Sequence, residues 1–595
     1  MPTVILTGLP VPGSPLADEL RSLGFEVRPA AGPQDAAAAL ARVPADQRVA
    51  VVDTAFVGHV HALRLALTDP RFDACAVTGA LSVQAGAREA LDKAVATEGA
   101  AGSGPYTDRL AAAVEATGTA VQRPELGSLV AAVPADADER AAASAAVAAV
   151  DEEAVRLRSA VKSRDGFFTT FCISPYSRYI ARWCARRGLT PNQVTTASLI
   201  TALIAAGCAA TGERWGYVAA GVLLIVSFVL DCTDGQLARY SLQYSTMGAW
   251  LDATFDRAKE YSFYAGLALG AARNGDDVWG LALGAMILMT CRHVVDFSFN
   301  EANHDATANT SPTAAFSDRL DSVGWTVWVR RMIILPIGER WAMIAVLTAF
   351  TTPRIVFYAL IVGCAFGALY TTAGRVLRSL TRKARRTDRA ARALADLADS
   401  GPLAELEARL LRGRAGSFGS VYVAALGTVL MAGAALYLPF GDPRLIAVAV
   451  IYVMTAGLAV AAPLGGALDW LIPPLFRAAE YVTVLALAAK ADVPGALPAA
   501  FGLIAAVAYH HYDTVYRIRG GTGAPPHWLV RTIGGHEGRV LLTTVLAAVL
   551  VDRASDFPVA LTALAVFVAL VVLVESIRFW VSSGAPAVHD EGEPA

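Results

Sequence analysis

Four aspartates stand between apolar runs that are each long enough to cross a lipid bilayer; they are Asp231, Asp234, Asp252 and Asp256. An aspartate at the centre of a membrane helix costs roughly 2.5–3.5 kcal/mol on insertion scales. A fold that keeps four of them here must compensate their charge. A metal ion or a water-filled functional cavity is the usual compensation, so this segment is the leading candidate for a functional site.

The spacing of the four aspartates predicts a cluster of carboxylates. Asp231 and Asp234 are three residues apart and Asp252 and Asp256 four apart, so each pair occupies one face of a helix. A turn-like segment, residues 240–246, separates the pairs, and two antiparallel helices joined there bring the pairs together. Clustered oxygen ligands suit Mg²⁺ or Mn²⁺, whereas zinc prefers nitrogen and sulfur.

The same segment resembles the signature of the CDP-alcohol phosphotransferases (CDP-alcohol phosphatidyltransferases), D-x2-D-G-x2-A-R-x8-G-x3-D-x3-D. The resemblance implies transfer of a phosphoalcohol group from a CDP-alcohol donor to an acceptor alcohol with release of CMP, in phospholipid or polyol-phosphate (inositol-type) biosynthesis. The matching residues are Asp231, Asp234, Gly235, Ala238, Arg239, Gly248, Asp252 and Asp256.

The resemblance also implies a role for each matching residue. The four aspartates would hold two Mg²⁺ (or Mn²⁺) ions, and Asp256 would also take the acceptor's proton as general base. The run TPNQVT resembles the start of the family's first membrane helix, although Pro191 alone also fits an ordinary helix start. Residues implied to bind the cytidine diphosphate or to leave room for it are Asn192, Gly235, Ala238, Arg239 and Gly248.

Arginines later in the chain are candidates for binding a second phosphate on donor or acceptor. Arg292 lies deep in an apolar segment, where both a substrate contact and membrane anchoring fit its position. Arg330 and Arg331 are expected to anchor the chain at the membrane surface. Arg340, in the run LPIGER, flanks the fifth apolar span.

Hydrophobic residues make up 55% of the 595 residues, which is too apolar for a soluble protein of this size. We therefore predict a multi-pass α-helical membrane protein, with a six-helix core, about six further helices and an N-terminal soluble α/β domain. The predicted core spans are residues 190–211, 215–238, 246–270, 278–297, 335–352 and 354–375. The further spans are 419–438, 445–463, 474–490, 496–515, 538–553 and 558–580.

The predicted domains follow from these segments and from shifts in composition. They are an α/β domain (1–134), a helical linker (135–165), the phosphotransferase domain (166–380), a basic, amphipathic linker (381–415), a C-terminal membrane domain (416–582) and a disordered tail (583–595).

The first 134 residues alternate short apolar runs with amphipathic segments, which predicts an α/β sandwich with a mostly parallel sheet. Strands are expected at PTVILTG, at residues 48–54 and at residues 74–78. Asp53 resembles the metal-binding aspartate of nucleotidyltransferases, but the glycine-rich, basic nucleotide loop is missing from residues 8–14. A degenerate nucleotidyltransferase and an unrelated α/β domain both fit.

Basic stretches at 178–187, 317–331 and 375–392 fall on one side of the predicted membrane core. Because basic loops stay in the cytoplasm, the N-terminal domain is expected on the cytoplasmic side of the cell membrane. The aspartates are expected on the same side. The basic, aromatic segment 178–187 predicts an interfacial helix that contacts membrane lipids. The net charge of −2 does not favour nucleic acid, and the seven cysteines form no CxxC pair typical of a zinc site.

Several questions stay open at the level of sequence. The donor is either CDP-diacylglycerol or a CDP-polyol such as CDP-inositol, and a homodimer is implied by the resemblance only. The polar cluster from His510 to Arg519 fits either a metal or headgroup site or an interfacial helix end. The alternative to an enzyme is a membrane scaffold or transporter that has lost catalysis.

Overall fold

The computed structural model describes residues 2–98, 104–162, 165–305, 335–381, 385–411 and 419–582. The basic stretch 317–331 with Arg330 and Arg331, and the predicted tail 583–595, lie outside the described residues. The chain divides into two compact units. The first unit comprises Met1–Ser163, Pro175–Pro191 and Thr233–Ser245, and the second comprises Arg164–Ser174, Asn192–Cys232 and Thr246–Ala595.

A six-stranded sheet organises the first unit, with strand order β2-β1-β3-β6-β5-β7. Alternate residues of β1 and β3 feed two separate apolar clusters, one on each face of the sheet. Its strands are β1 (Thr3–Thr7), β2 (Glu26–Ala30), β3 (Val49–Asp53), β5 (Ala74–Val77), β6 (Ala80–Val83) and β7 (Val121–Gln122), while β4 (Val57–Gly58) pairs with β8 (Ala131–Ala132). The helices are α1 (Leu16–Ser22), α2 (Pro33–Leu40), α3 (Val60–Thr68), α4 (Arg88–Thr97) and α5 (Tyr106–Ala116).

The sheet is more mixed than the sequence predicts. Strand β1 is parallel to β2 and β3, but β6 is antiparallel to both of its neighbours, β3 and β5. A two-residue turn between β5 and β6 reverses the chain, and Gly79 adopts a positive φ of 80° there. The reversal therefore depends on a turn residue and not on the apolar pattern of the strands.

Two aspartates of this unit accept hydrogen bonds from backbone N–H groups in turns. The Asp53 carboxylate, at the end of β3, accepts a hydrogen bond of 2.8 Å from the Ala55 backbone N–H. Burial raises the pKa of Asp53, although that backbone bond opposes the shift. The Asp108 carboxylate accepts from the Gly79 N–H at 2.8 Å. A nucleotide or metal role for Asp53 remains a prediction.

Helices connect the sheet domain to the membrane region. Helices α6 (Ala137–Ala148) and α7 (Glu152–Ser159) occupy the Ala-rich segment, capped by the carboxylates of Asp136 and Asp151. The basic helix α8 (Ser174–Arg186) exposes Tyr179 and Trp183 with arginine guanidinium groups against their rings, as expected of an interfacial helix.

All twelve predicted spans are helices. The first six are α9 (Pro191–Ala210), α10 (Arg214–Ser241), α11 (Thr246–Arg273), α12 (Trp279–Asn303), α13 (Ile337–Phe350) and α14 (Pro353–Thr381). The others are α17 (Ser420–Tyr437), α18 (Pro443–Ala459), α19 (Ile472–Ala491), α20 (Ala496–Arg519), α22 (Gly535–Val549) and α23 (Phe557–Ser582), with a short α21 (His527–Thr532) between them.

Seven helices in the described part of the chain are long and apolar enough to cross a membrane. They expose large apolar side chains, such as Val362, Phe366 and Leu369 on α14, which lipid solvates better than water. The protein is therefore a multi-pass membrane protein with an N-terminal α/β domain. Helix α11 is not among the seven, because its first half carries a run of charged residues.

The predicted single amphipathic helix of the linker is two helices. They are α15 (Asp388–Ala398) and α16 (Pro402–Leu411). Asp399 ends the first helix with a positive φ of 55°, and the second starts with a proline. A left-handed residue followed by Gly401 and Pro402 cannot continue a helix, which explains the break.

Candidate active site

The site is built on the hairpin of α10 and α11. Helix α10 ends where Leu242 adopts a positive φ of 54°, and the Gln243 N–H bonds back to the Ala238 carbonyl at 3.0 Å. Helix α11 begins four residues later at Thr246. This sharp turn lets residues near the end of α10 meet residues near the start of α11.

The hairpin brings three of the four predicted aspartates together. Carboxylate oxygens of Asp231, Asp252 and Asp256 all lie within 4.8 Å of one another, and each side chain is half-buried. Asp234 is not in this group; it follows three residues after Asp231 on α10 and is buried. Asp231 of the first predicted pair thus lies close to both aspartates of the second pair.

A lysine that the sequence analysis did not single out lies among these carboxylates. Lys259 is 1% exposed, and its ammonium contacts Asp231 and lies 3.2 Å from an Asp256 oxygen. A buried cation between acidic groups shows that their field favours positive charge. Its signal in the sequence is the position three residues after Asp256, on the same helix face.

A second buried set of charges lies beside the carboxylates. Arg257 donates to Glu260 at 2.7 Å, and Glu260 also accepts from the Tyr264 hydroxyl at 2.8 Å. The Arg340 Nε is 3.5 Å from Glu260, so the LPIGER arginine belongs to this network. Apart from Arg340, these residues were also missed, although charges in a membrane helix are a functional signal in themselves.

Four further predicted site residues lie on the two helices of the hairpin. Arg239 donates from Nε to the Ala160 carbonyl at 2.6 Å, and a Cβ at Gly235 would face its guanidinium at about 3.5 Å. Ala238 lies half-buried one residue before Arg239, and Gly248 lies half-buried in the first turn of α11.

Two further candidates lie on other helices. Asn192 is half-buried in the first turn of α9. Arg292 is buried in α12, one turn before Asp296, whose carboxylate is paired with Arg375. The burial of Arg292 is not what anchoring the chain at a membrane surface requires. The nucleotide contacts of these residues stay predictions.

Most residues of the cluster from His510 to Arg519 are buried, and the helix that carries them ends at Arg519. His510, Tyr512, Asp513 and Arg517 are buried within the helical bundle. His510 pairs with Asp399, outside the cluster, at 3.0 Å, whereas Asp513 and Arg517 of the cluster pair with each other at 2.8 Å. Successive positions on a helix point about 100° apart, which explains their different partners.

Two family models match the chain. Residues 188–369 match the model described as CDP-alcohol phosphatidyltransferase. Residues 388–595 match a family of unknown function, DUF5941. The two matches cover the two sets of membrane helices separately.

Curated relatives match the first set. An archaetidylinositol phosphate synthase from Pyrococcus horikoshii is 32% identical over 115 residues, 19% of this chain and 58% of that protein. A phosphatidylinositol phosphate synthase from Streptomyces avermitilis is 35% identical over 111 residues, 18% of this chain and 43% of that protein. A bifunctional IPC transferase and DIPP synthase from Rubrobacter xylanophilus is 42% identical over 84 residues, 14% and 18% of the two chains.

These matches span less than two thirds of each relative's length. They support the family of the matched region, whose model covers α9 to α13, including the aspartate hairpin, and the first part of α14. Residues 188–369 therefore belong to the CDP-alcohol phosphatidyltransferase family.

Proposed function

We propose that the protein is a divalent-metal-dependent CDP-alcohol phosphotransferase that releases CMP. One observation carries the proposal: carboxylates from two helices meet within 4.8 Å at positions of the family signature. Three clustered carboxylates in a membrane protein are costly unless they bind a cation. The family match and the names of the relatives, which are synthases, support the same reaction class.

The residues present fit a hard divalent cation. Asp231, Asp252 and Asp256 offer only oxygen ligands, and the Lys259 ammonium beside them indicates a place where positive charge is favoured. These three aspartates, with Asp234 added by the signature, would hold Mg²⁺ or Mn²⁺, and two ions are proposed. When bound, such ions neutralise the charge of a diphosphate.

The reaction needs one protein group that accepts a proton and others that bind the donor. The acceptor's hydroxyl oxygen bonds to the phosphorus that carries the donor alcohol, the bridging P–O bond breaks, and CMP leaves with the electron pair. Asp256 is the proposed base that takes the hydroxyl proton. Arg239, with the small residues Gly235 and Ala238 beside it, is proposed to bind the cytidine diphosphate.

The proposed substrates belong to inositol-type metabolism. The relatives above include a phosphatidylinositol phosphate synthase and an archaetidylinositol phosphate synthase. A phosphorylated acceptor needs cations besides the metal, and the buried Arg292 is the proposed partner. The donor is either CDP-diacylglycerol or a CDP-polyol such as CDP-inositol. The two donors share the diphosphate and differ in the size of the alcohol attached to it.

We place the active site at the cytoplasmic face of the cell membrane. The basic helix α8 and the basic end of α14 support this orientation, because basic segments stay in the cytoplasm. A CDP-linked donor made in the cytosol reaches a site on that side.

The function is tested with purified protein, Mg²⁺ and a panel of CDP-alcohols with and without inositol phosphate, scored for CMP. Asp256→Asn should lower turnover by about 10²–10⁴-fold, the range expected for loss of a general base. Asp276→Asn is the matched control, because Asp276 pairs with Arg354 in the connection after α11 and not with the carboxylate group.

Two results would contradict the proposal at different levels. Near-wild-type CMP release by Asp256→Asn removes Asp256 as the base. No CMP from any donor favours the non-catalytic scaffold or transporter instead.

A further inference from the structure

Helix α11 presents two rows of side chains near its start. Asp252, Asp256 and Lys259 follow each other at positions i, i+4 and i+7, so they form one row that faces the active site. Another row has the same spacing but is shifted by two residues, about 200° around the helix. It consists of Trp250, Thr254 and Arg257.

The second row contacts helices α20 and α23, which belong to the region of unknown function. The Trp250 ring stacks on Trp580 of α23, with centroids 6.1 Å apart and planes 19° apart. The Tyr509 hydroxyl of α20 lies against Thr254. The two contacting residues, Trp250 and Thr254, therefore stand immediately on either side of Asp252 along the chain, two residues before it and two after it.

Tyr512 extends the same contact by one turn. Its ring lies under the Arg257 guanidinium, 5.2 Å from the ring centroid, and Arg257 directly follows Asp256. The Tyr512 hydroxyl is hydrogen-bonded to His293 Nδ1 on α12. One side chain from α20 thus bridges two helices of the phosphotransferase domain.

The contacting side chains are themselves held by hydrogen bonds. The Asp513 carboxylate accepts from Trp580 Nε1 at 2.7 Å and from the Ser576 hydroxyl at 2.8 Å. The Ser576 and Tyr509 hydroxyls are 3.0 Å apart. Because Arg517 of α20 also pairs with Glu575 of α23 at 2.6 Å, α20 and α23 are joined into one surface against α11.

Small rotations of α11 matter for its aspartates. A side-chain end lies about 5 Å from a helix axis, so a rotation of about 20° moves it by about 2 Å. Metal sites tolerate deviations of only about 0.2 Å in ligand distance. Groups that fix the rotation of α11 therefore act on metal binding without touching the metal.

We propose that the C-terminal region holds α11 from the side opposite its aspartates, with Tyr509, Tyr512 and Trp580 as positioning residues. This inference rests on the proposed function and assigns a role to the region matched by the family of unknown function. Outer residues that orient metal ligands typically change metal affinity or activity by about 10–100-fold when they are mutated.

The test compares Mn²⁺ binding to the full chain in detergent, followed by electron paramagnetic resonance. Tyr512→Leu and Trp580→Leu should each weaken Mn²⁺ binding about 10-fold or more. Tyr512→Phe should recover most of the affinity, because its ring still lies under Arg257. With an active donor, the Leu variants should lose kcat while KM for the CDP-alcohol changes little.

Tyr452→Leu is the matched control. Tyr452 is 1% exposed and its hydroxyl is 2.7 Å from His536 Nδ1, so it copies the buried tyrosine–histidine bond of Tyr512. Both partners of this control pair belong to the C-terminal region and lie on α18 and α22. Its Mn²⁺ affinity should stay within about 2-fold of wild type, against the 10-fold effect expected for outer residues of the site.

The outcomes separate this inference from the proposed function. Equal Mn²⁺ affinities for Tyr512→Leu and Tyr452→Leu, or no Mn²⁺ binding by the wild type, overturn the positioning role. Mn²⁺ binding that depends on Tyr512, in a protein that releases no CMP from any donor, upholds the positioning role and refutes the transferase.

Discussion

At the residue scale, Lys259 governs the electrostatics of the site. It is the buried cation that contacts two of the three clustered carboxylates, those of Asp231 and Asp256. Removing one partner of a fully buried ion pair costs about 3–5 kcal/mol, because the other charge loses its compensation. The carboxylates here are half-buried, so water screens part of that cost.

We therefore expect Lys259→Met to lower the melting temperature when divalent metal is chelated. Added Mn²⁺ should reverse most of the loss, since the ion replaces the missing positive charge among the carboxylates. Thermal unfolding in detergent with EDTA or Mn²⁺ measures both values.

Lys490→Met is the control for this variant. Lys490 donates to the carbonyls of Leu436 and Leu438, away from any carboxylate of the hairpin. Its melting temperature should not respond more to Mn²⁺ than that of the wild type. An equal response in both variants would remove Lys259 from the metal site.

At the element scale, the break between α15 and α16 is stabilised by a buried ionic network. Asp399, in that break, accepts from Arg539 at 2.8 Å and lies 3.2 Å from Arg477. Glu480 accepts from Arg477 at 2.8 Å and also pairs with Arg539. The two acids and the two arginines neutralise one another's charge. These ion pairs join the linker helices to α19 and α22.

Glu480→Gln should destabilise the protein by about 3–5 kcal/mol, because two buried arginines keep their charge and lose a carboxylate. Glu405→Gln is the control in the same region, where the partly exposed Glu405 pairs with the exposed Arg531 at 2.8 Å and with the exposed Arg409 at 3.1 Å. Exposed pairs contribute about 1 kcal/mol or less. Unfolding followed by chemical denaturation should separate the two variants; similar losses would show that the network is not a stabilising element.

At the scale of the whole molecule, the two units have separate hydrophobic cores. The sheet domain has its own clusters on the two faces of its sheet. The membrane helices share one continuous cluster, which includes Leu267 of the phosphotransferase domain and Leu503 of the C-terminal region. The C-terminal region therefore shares one hydrophobic core with the helices that carry the candidate site.

Because the first unit has its own core, protonation of its buried His61 should destabilise that unit in acid. Burial lowers the pKa of His61 from 6.5 to about 4, and Arg156 and Arg64 add to the shift. Below pH 6.5 the unfolded state binds a proton that the folded state refuses. The free energy of unfolding of this unit should thus fall as pH drops from about 6.5 to 4, by about 3 kcal/mol in total.

His61→Leu should remove this part of the pH dependence. His61 is 2% exposed, and within the described residues neither ring nitrogen has a hydrogen-bond partner, so an apolar side chain loses no bond. Hydrogen exchange of β1 and β3 between pH 4 and 7 measures the effect, with α19 peptides as internal reference. An unchanged pH profile in the variant would show that His61 is not the responsible group.

The sequence by itself determined the helices and the place of the carboxylate group that forms the candidate site. Long apolar runs leave a membrane chain no alternative to helices, because backbone groups must be satisfied within each segment. The spacing of Asp231, Asp252 and Asp256 then predicts carboxylates on two facing helices. Both conclusions depend on local periodicity, which a sequence records directly.

Only the tertiary structure decided which faces meet. The contacts of Lys259 with Asp231, of Tyr512 with Arg257, and of His510 with Asp399 join residues that are 28, 255 and 111 positions apart. No local pattern encodes such pairs, since they depend on how whole helices are rotated and packed. For the same reason, the sequence alone does not show that His510 pairs with Asp399 while Asp513 and Arg517 pair with each other.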